Sequence, residues 1–409
     1  MSEFDLGHRW RAGQHVELLR NGAELFPAMF AAIDAARHQI HLETYIFNLD
    51  VSGLALLDCL ESACRRGVKV RVVLDGFGSM RQLPVLVSRL QSMGARCRVY
   101  RPEPEGIGWI RLSLRRLRRM HRKTMVVDHR VAFVGGINIL DDLVDVPDQG
   151  SAARPRFDFA IRIQGPLVTD VSRAQRRLWL RMGWRRRDDW GGFYRRLLRW
   201  RDWARKQKLW QQPVYQDGVC AILLLRDNIG NRRTIEDAYI KAISASKTEV
   251  LIANAYFFPG LRLRRALADA ARRGVRVRLL LQGRSEYPLQ YEASRHRYQA
   301  MLRAGLEIYE YKVSFLHAKV AVIDDGAMVG SSNLDPFSLL LAREANVLVK
   351  SPSFAAELKQ QLEQEIACHA VPVNEANLVG LSWWARLVDM AAYRLLRAGV
   401  ALTGKSAEY

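Results

Sequence analysis

The sequence is poor in cysteine and contains no long apolar run. The cysteines form no CxxC pair and lack the spacing of zinc ligands; they are Cys59, Cys64, Cys97, Cys220 and Cys368. We therefore expect a reducing compartment and no structural metal. The longest stretch without a formal charge, residues 250–261, has 12 residues, whereas a transmembrane helix needs about 20. We expect no transmembrane span, so that any membrane contact is peripheral.

Acidic residues are scarce relative to basic ones. The chain has 63 lysines and arginines against 42 aspartates and glutamates, which gives a formal net charge of +21. This balance favours an anionic partner, and both nucleic acid and an anionic membrane surface qualify. The first residues carry acidic groups and no apolar segment, so we expect no signal peptide and a location on the cytoplasmic face of the cell membrane.

The chain is long enough for two domains, and part of it is repeated. Its 409 residues are 49% hydrophobic and 26% charged, which excludes a disordered tail. The segment RRGVKVRVVL at residues 65–74 recurs as RRGVRVRLLL at residues 272–281. Strands alternate with helices around both copies, a pattern typical of βαβ units and a largely parallel sheet. The sequence therefore predicts an α/β fold that arose by tandem duplication.

Composition divides the chain into two halves, a connector and a tail. We predict halves at residues 1–175 and 216–370, a basic tryptophan-rich connector at 176–215, and an amphipathic membrane-facing tail at 371–409. Connector and tail each have two interpretations, as helices that cover the core or as helices in the lipid headgroup region. A further basic stretch, residues 111–119, alternates arginine with leucine directly before the first motif described below.

One short motif occurs once in each half. It reads HxKxxxxD, with a glycine-containing turn and an asparagine after it; the residues are His121, Lys123, Asp128, Gly135 and Asn138, then His317, Lys319, Asp324, Ser331 and Asn333. Alternation along a strand places each histidine and its lysine on one face. The turn after the aspartate is one residue shorter in the second copy, which two adjoining strands can absorb. The duplication predicts one pocket shared by both halves.

Such a pocket suits a phosphodiester. Lysines neutralise the non-bridging oxygens, and asparagine amides and backbone N–H groups bind them, so that developing charge is stabilised without a metal. One histidine attacks phosphorus to form a phosphohistidine, while the other protonates the leaving alcohol and later deprotonates the acceptor. We expect no cofactor.

These residues resemble the phospholipase D superfamily, whose hallmark is the duplicated motif. The resemblance rests on MHRKTMVVD with FVGGIN, on ANAYFFPG, and on LHAKVAVIDD with VGSSNLDP, and it covers nearly the whole chain. Within the superfamily the chain looks closest to the short form of bacterial cardiolipin synthases. The resemblance implies two α-β-α sandwich halves related by a pseudo-two-fold axis, and phosphatidyl transfer between phospholipids.

The resemblance also implies roles for single residues. His121 and His317 correspond to the nucleophile and the general acid/base, with His121 favoured as the nucleophile, and the two lysines bind phosphate. Asp128 and Asp324 complete the catalytic motifs and organise the backbone around the histidines. Four residues are expected to bind the substrate phosphate, namely Asn138, Asn333, Ser331 and Gly135. Asp158 and Glu344 are expected to hold the histidine rings, as carboxylates do in catalytic triads.

Several functions share this chemistry. Transfer to phosphatidylglycerol gives cardiolipin, with a second phosphatidylglycerol or phosphatidylethanolamine as the donor, whereas transfer to water makes the protein a hydrolase. A nuclease fits the net charge, but the interleaving of basic residues with tryptophan and leucine favours a lipid surface over nucleic acid. A non-catalytic binder of anionic membranes is disfavoured because both motifs are complete. The sequence does not predict the oligomeric state.

Overall fold

The structure is a computed structural model that describes residues 10–103, 118–144, 153–184, 212–227, 230–284, 295 and 297–375. Most of the basic stretch at 111–119, the tryptophan-rich connector after residue 184 and the tail from residue 376 lie outside the described residues. The interpretations given above for the connector and the tail, including contact with a membrane, therefore stay predictions.

The first half alternates strands and helices, as the repeat predicts. Its elements are β1 (Arg11–Arg20), α1 (Asn21–Asp34), β2 (Gln39–Thr44), α2 (Val51–Arg65), β3 (Lys69–Asp75), α3 (Leu83–Ser92), β4 (Arg96–Tyr100), β5 (Lys123–Val127), β6 (Val131–Gly135), β7 (Phe159–Gln164) and α4 (Leu167–Trp184). Helix α2 begins after Asp50, whose carboxylate accepts a hydrogen bond from the amide of Gly53. It is followed by Gly67 at a φ of 84°, a conformation that glycine adopts without strain.

The second half repeats this order. Its elements are β8 (Val219–Arg226), α5 (Thr234–Ala245), β9 (Glu249–Asn254), α6 (Leu261–Arg272), β10 (Arg276–Gln282), α7 (Tyr298–Arg303), β11 (Glu307–Tyr311), β12 (Lys319–Ile323), β13 (Gly326–Gly330), α8 (Pro336–Leu340), β14 (Glu344–Lys350), α9 (Pro352–His369) and β15 (Ala370–Pro372). Gly274, the counterpart of Gly67, has a φ of 88°. The two RRG sequences therefore perform the same task, which is to end a helix and start a parallel strand.

The strands join in one 15-stranded order that is symmetric about its centre. The order is β15-β11-β10-β9-β12-β13-β14-β8-β1-β7-β6-β5-β2-β3-β4, so that β8 and β1 connect two copies of the same arrangement. Strands β2, β3 and β4 are parallel, as are β9, β10 and β11. This is an α/β fold of two halves with the same strand order. The structure differs from the predicted divisions at two points, since residue 176 lies inside α4 and residue 371 lies in β15, which pairs with β11.

One apolar core crosses the boundary between the halves. It contains Phe159 and Ile161 of β7 together with Val329 of β13 and Val347 of β14, all buried. Strands of both halves thus pack face to face around shared side chains, which fixes the position of one half against the other.

The difference in turn length does not reach the histidine end of the motif strands. Lys123 lies opposite Gly135 across β5 and β6, and the β12 and β13 register places Lys319 opposite Gly330 in the same way. The extra residue is absorbed at the far end, where Asp128 and His129 both adopt positive φ but only Asp324 does so in the second half. In the described part of the chain no helix is long and apolar enough to cross a membrane.

Because the core is shared, we expect the two halves to unfold together. Ile161→Ala removes a fully buried side chain from the first half and should lower the free energy of unfolding by about 2–5 kcal/mol. Urea denaturation followed by tryptophan fluorescence and by limited proteolysis of each half should give one coincident transition at a lower midpoint. Two separate transitions, with only the first half weakened, would contradict a common core.

Candidate active site

Both motifs lie at one edge of the sheet. The parallel strands β2 and β3 end at this edge, and β5, which runs antiparallel to β2, starts there. His121 therefore lies at the carboxyl end of the parallel strands, where ligands bind in open α/β sheets. The second half repeats this arrangement with Lys319 of β12 opposite Asn254 at the end of β9.

Each motif histidine is held by a carboxylate from the other half. The Nδ1 atom of His121 lies 3.0 Å from Oε1 of Glu344, and Nδ1 of His317 lies 2.6 Å from Oδ2 of Asp158. The carboxylates are buried, and each histidine side chain keeps 15% exposure. With Nδ1 directed to a carboxylate, Nε2 is the ring nitrogen that points away from it, as in a catalytic triad. The pairing crosses between the halves, so neither half holds its own histidine.

Short backbone bridges create this crossing. The amide of His121 donates to the carbonyl of Arg343 at 2.9 Å, and the amide of His317 donates to the carbonyl of Phe157 at 2.8 Å. Arg343 and Phe157 each come directly before the carboxylate residue. The bridge and the carboxylate thus come from one short segment, which fixes the backbone and the ring of the histidine together.

Two residues outside the motifs bind the backbone directly before each histidine. Asp75, at the end of β3, accepts a hydrogen bond from the amide of Met120 at 2.8 Å. Gln282, at the equivalent end of β10, accepts one from the amide of Leu316 at 2.9 Å. Each lies in the strand after the RRG repeat, so that comparing the two repeats beyond their glycines would have found them.

The motif lysines point toward the same centre. The Nζ atom of Lys123 donates to the carbonyl of His121 at 2.9 Å, and Nζ of Lys319 donates to the carbonyl of His317. Lys319 also lies 3.8 Å from Oδ2 of Asp158. Burial lowers the pKa of Lys123 to about 7, because a charged ammonium is poorly solvated there; Glu344 opposes this shift and Lys319 contributes to it. An anion in the pocket would stabilise both ammonium groups.

Burial acts on the other groups of the pocket as well. It lowers the pKa of His121, with Glu344 opposing the shift and Lys123 and Lys319 adding to it. It raises the pKa of Asp158 to about 6 against the effect of Lys319. The lowered pKa of His121 favours the neutral imidazole, a state suited to nucleophilic attack on a bound phosphate.

The two carboxylate sites are built differently. The hydroxyl of Ser331 donates to Glu344 at 2.5 Å and its carbonyl lies 3.1 Å from Nδ1 of His121. The matching position in the first half is Gly136, where an added Cβ would lie 2.4 Å from Oδ1 of Asp158. Ser331 thus lies behind the histidine and supports Glu344, whereas Gly136 leaves room for Asp158. The hydroxyl of Ser331 is engaged with Glu344, and its expected contact with the substrate phosphate stays a prediction.

The remaining residues predicted to bind the substrate are Asn138, Asn333 and Gly135, and the structure gives each a different environment. The side-chain oxygen of Asn138 accepts a hydrogen bond from the amide of Ile46 at 3.2 Å, which leaves its NH₂ group free to donate. Asn333 is buried, and its side-chain oxygen has no hydrogen-bond partner in the described part of the chain. Gly135 is a packing residue, because an added Cβ would lie 2.4 Å from Cα of Ala160.

The structure does not bring Asp128 and Asp324 to the histidines. The carboxylate of Asp128 accepts hydrogen bonds from the amides of Arg37, His38 and Gln39 at 2.7–2.9 Å, at the far end of β5. Asp324 binds three successive amides before β9 in the same way. The expected role around the histidines is corrected: each aspartate follows a five-residue strand that begins with its lysine, so the motif aspartates bind the start of the neighbouring strand.

Tyr45 forms one wall of the pocket. Its ring packs edge to face on His121 at a centroid distance of 4.8 Å, and the ammonium of Lys123 lies 5.4 Å from its centre. Tyr45 follows β2, where an apolar run in the sequence predicts a continuing strand. Among the described residues, no group of three or more His, Cys, Asp or Glu side chains is placed to hold a metal ion.

Comparison with known proteins gives concordant results. The family model described as "Cardiolipin synthase, PLD-like domain" matches residues 29–145 and 239–366, one segment in each half. Cardiolipin synthase B of Salmonella typhimurium is 38% identical over 97% of this chain and 91% of its own length. Cardiolipin synthase B of Escherichia coli K12 is 38% identical with the same coverage. Among solved structures, phosphatidylserine synthase of Haemophilus influenzae superposes with a TM-score of 0.65 at 15% identity, over 96% of this chain and 95% of that one.

Removing the carboxylate of Asp324 should weaken the fold and leave the chemistry intact. Asp324→Ala deletes the acceptor of several amide hydrogen bonds and should lower the free energy of unfolding by about 1–3 kcal/mol. We expect kcat to stay within about threefold of the wild type at a temperature where the variant is folded, as checked by circular dichroism. A loss of more than a hundredfold in a fully folded variant would return Asp324 to the catalytic group.

Asp75 should act through its acceptor oxygen rather than its charge, since Gln282 does the same work in the other half. Asp75→Asn keeps an acceptor for the amide of Met120 and should retain kcat within about tenfold. Asp75→Ala removes it and should lower kcat by about a hundredfold, the order expected for a displaced catalytic group, with little change in KM. Steady-state kinetics of the pair test this, and equal losses in both variants would indicate that the charge itself is needed.

Proposed function

The chain belongs to the phospholipase D superfamily and, within it, to the cardiolipin synthases, which makes it a phosphatidyltransferase of cardiolipin synthesis; we propose that it works through a phosphohistidine on His121. The observation that carries this proposal is the crossed pair of histidines, each held at Nδ1 by a carboxylate of the opposite half. Two imidazoles, each oriented through Nδ1 so that Nε2 is the reacting atom, meet the minimum for a two-step transfer.

In the first step, Nε2 of His121 attacks the phosphorus of a donor phospholipid. A P–N bond forms and the bond from phosphorus to the headgroup oxygen breaks, while Nε2–H of His317 gives its proton to the leaving alcohol. Lys123 and Lys319 stabilise the charge that develops on the non-bridging oxygens, and the NH₂ group of Asn138 is available to donate.

In the second step, a hydroxyl of the acceptor lipid attacks the same phosphorus. His317, now neutral, takes the hydroxyl proton at Nε2 as the P–O bond forms and the P–N bond to His121 breaks. The acceptor is the glycerol headgroup of phosphatidylglycerol, so that the product is cardiolipin. We propose a second phosphatidylglycerol as the donor, which releases glycerol, with phosphatidylethanolamine as the other candidate.

His121 fits the nucleophile better than His317 does. A nucleophile must be neutral, and burial together with the two lysines lowers the pKa of His121. His317 faces Asp158 at 2.6 Å, and an ionised carboxylate at that distance stabilises an imidazolium, the form needed to protonate the leaving group. The protein acts on phospholipids, and we propose that it does so as a peripheral protein on the cytoplasmic face of the membrane.

The activity is tested by incubating the purified protein, with a chelator, on phosphatidylglycerol vesicles with and without phosphatidylethanolamine. Thin-layer chromatography and mass spectrometry should detect cardiolipin and free glycerol from phosphatidylglycerol alone. Cardiolipin that forms only with phosphatidylethanolamine would reassign the donor. Phosphatidic acid alone would make the protein a hydrolase, and unchanged lipid would contradict lipid transfer and direct the search to nucleic acids.

A trapped covalent intermediate shows which of the two histidines is the nucleophile. Phosphatidylglycerol with a labelled acyl chain transfers the label to the enzyme when its headgroup leaves. An acid-labile label should therefore attach to the wild type. It should accumulate in His317→Ala, because this variant cannot activate the acceptor hydroxyl. His121→Ala should carry no label and lose at least about a thousandfold in kcat. The exposed His15 provides a matched control, since His15→Ala should label normally. Label on His121→Ala but not on His317→Ala would reverse the assignment.

The pKa values of the pocket predict a narrow pH profile. Asp158 must be ionised to hold His317, so kcat/KM should rise as the pH passes about 6. Lys123 must be protonated to bind phosphate, so kcat/KM should fall as the pH passes about 7. Lys123→Arg should keep the acid limb and move the alkaline limb upward, because a guanidinium does not titrate in this range. An unchanged alkaline limb in that variant would assign it to another group.

A further inference from the structure

The outer face of the first half carries an unusual set of cations. Strands β3 and β4 present Lys69, Arg71, Arg96 and Arg98 on one face, and α4 adds Arg176; these five residues are called the cationic face. Arg71 and Arg96 are direct partners across the two strands. The opposite faces of the same strands carry the apolar residues of the first half's core.

The second half provides an internal reference for this face. There Arg278 takes the place of Arg71, and its cross-strand partner is Glu307 in place of Arg96. The guanidinium of Arg278 binds Glu249 and lies 2.6 Å from Glu363, and Glu307 binds Arg276 at 2.7 Å. Each cation of the second half's strands is thus neutralised by a glutamate.

The first half lacks these glutamates. No carboxylate among the described residues lies within ion-pair distance of Lys69, Arg71 or Arg96. The pKa of Arg71 is lowered by burial and by its neighbour Arg96, whereas hydrogen bonds to Glu363 and Glu249 outweigh burial and raise the pKa of Arg278. The same fold position therefore holds a repelled cation in one half and a neutralised cation in the other. Half-buried like charges destabilise the fold unless an external anion compensates them.

An aromatic residue lies in the middle of these cations. The guanidinium of Arg98 stacks over the ring of Trp179 at 4.0 Å, and that of Arg71 lies 5.8 Å from it. Trp179 is buried in a small apolar cluster with Tyr100, and its backbone carbonyl accepts a hydrogen bond from Arg98, so this contact fastens α4 to β4. The cations also lead toward the active-site edge, because β4 continues from Arg98 to Tyr100, whose hydroxyl accepts from Arg343 at 3.2 Å.

We propose that the cationic face docks on the surface of an anionic phospholipid bilayer, with lipid phosphates in the places that Glu249 and Glu307 fill in the second half. A lipid surface is favoured over nucleic acid because the protein acts on phospholipids and because arginine and tryptophan continue to alternate in the sequence after α4, at Trp190, Trp200 and Trp203. This proposal rests on the proposed function, since it names the surface through which the enzyme meets its substrate.

The test is a single exchange that copies the second half. Arg96→Glu places a carboxylate beside Arg71, as Glu307 stands beside Arg278. In co-sedimentation with phosphatidylglycerol vesicles in dilute buffer, partition should fall at least about tenfold, since each basic residue near the surface adds to binding. Arg265→Glu, an exposed position of α6 with the same change of charge, should change partition less than about threefold. Equal losses in both variants would show that net charge alone drives binding and would overturn the proposal.

A second measurement separates docking from a structural role. If an anion is what Arg71 and Arg96 lack, Arg96→Glu should raise the melting temperature while it weakens vesicle binding. A lower melting temperature would indicate that Arg96 supports the fold and would contradict the proposal. Binding of duplex DNA that is tighter than vesicle binding, and equally sensitive to Arg96→Glu, would assign the face to nucleic acid and overturn it too.

Activity in two lipid forms keeps the two proposals apart. Arg96→Glu should lower cardiolipin formation on vesicles but leave it within about twofold in detergent micelles, where substrate reaches the pocket without a bilayer surface. A wild type that forms no cardiolipin in either system would contradict the proposed function and leave the vesicle-binding result standing. Normal vesicle activity and binding in Arg96→Glu would overturn the docking surface alone.

Discussion

The structure depends on two imidazole–carboxylate hydrogen bonds that cross between the halves. His121 is held by Glu344 and His317 by Asp158, so that each half completes the active group of the other. This arrangement explains why the halves share one sheet order and one apolar core, since a small displacement of one against the other would separate each ring from its carboxylate. A triad built on two domains requires their interface to be as rigid as a domain core.

The same pairing places several charges in a half-buried pocket. Burial shifts the pKa of Lys123 down and that of Asp158 up, so both groups titrate near neutrality. These shifts represent unfavourable free energy. A bound phosphodiester supplies negative charge beside Lys123 and so reduces this unfavourable free energy. The reduction contributes to the affinity of the pocket for the transition state.

The two halves carry equivalent positions around the active site and on their outer faces, and the residues at some of these positions differ. Asp75 and Gln282 hold the histidine segments with the same kind of acceptor. Ser331 supports Glu344, while Gly136 makes room for Asp158. On the outer faces, Arg96 and Glu307 occupy equivalent positions with opposite charges. In the second half, glutamates pair with the arginines of this face, whereas Arg71 and Arg96 of the first half lie beside each other.

The sequence by itself determined the α/β fold, the duplication and the paired His-x-Lys motifs, because repeated local patterns lie along the chain. Its resemblance to the phospholipase D superfamily implied Asp158 and Glu344. Only the tertiary structure decided that each carboxylate serves the histidine of the opposite half, that Asp128 and Asp324 fasten neighbouring strands, and that Ser331 lies behind a histidine. These facts depend on which segments meet in the folded chain. The two histidine–carboxylate pairs join residues more than 150 positions apart across the pseudo-two-fold interface, and no local pattern encodes such pairing.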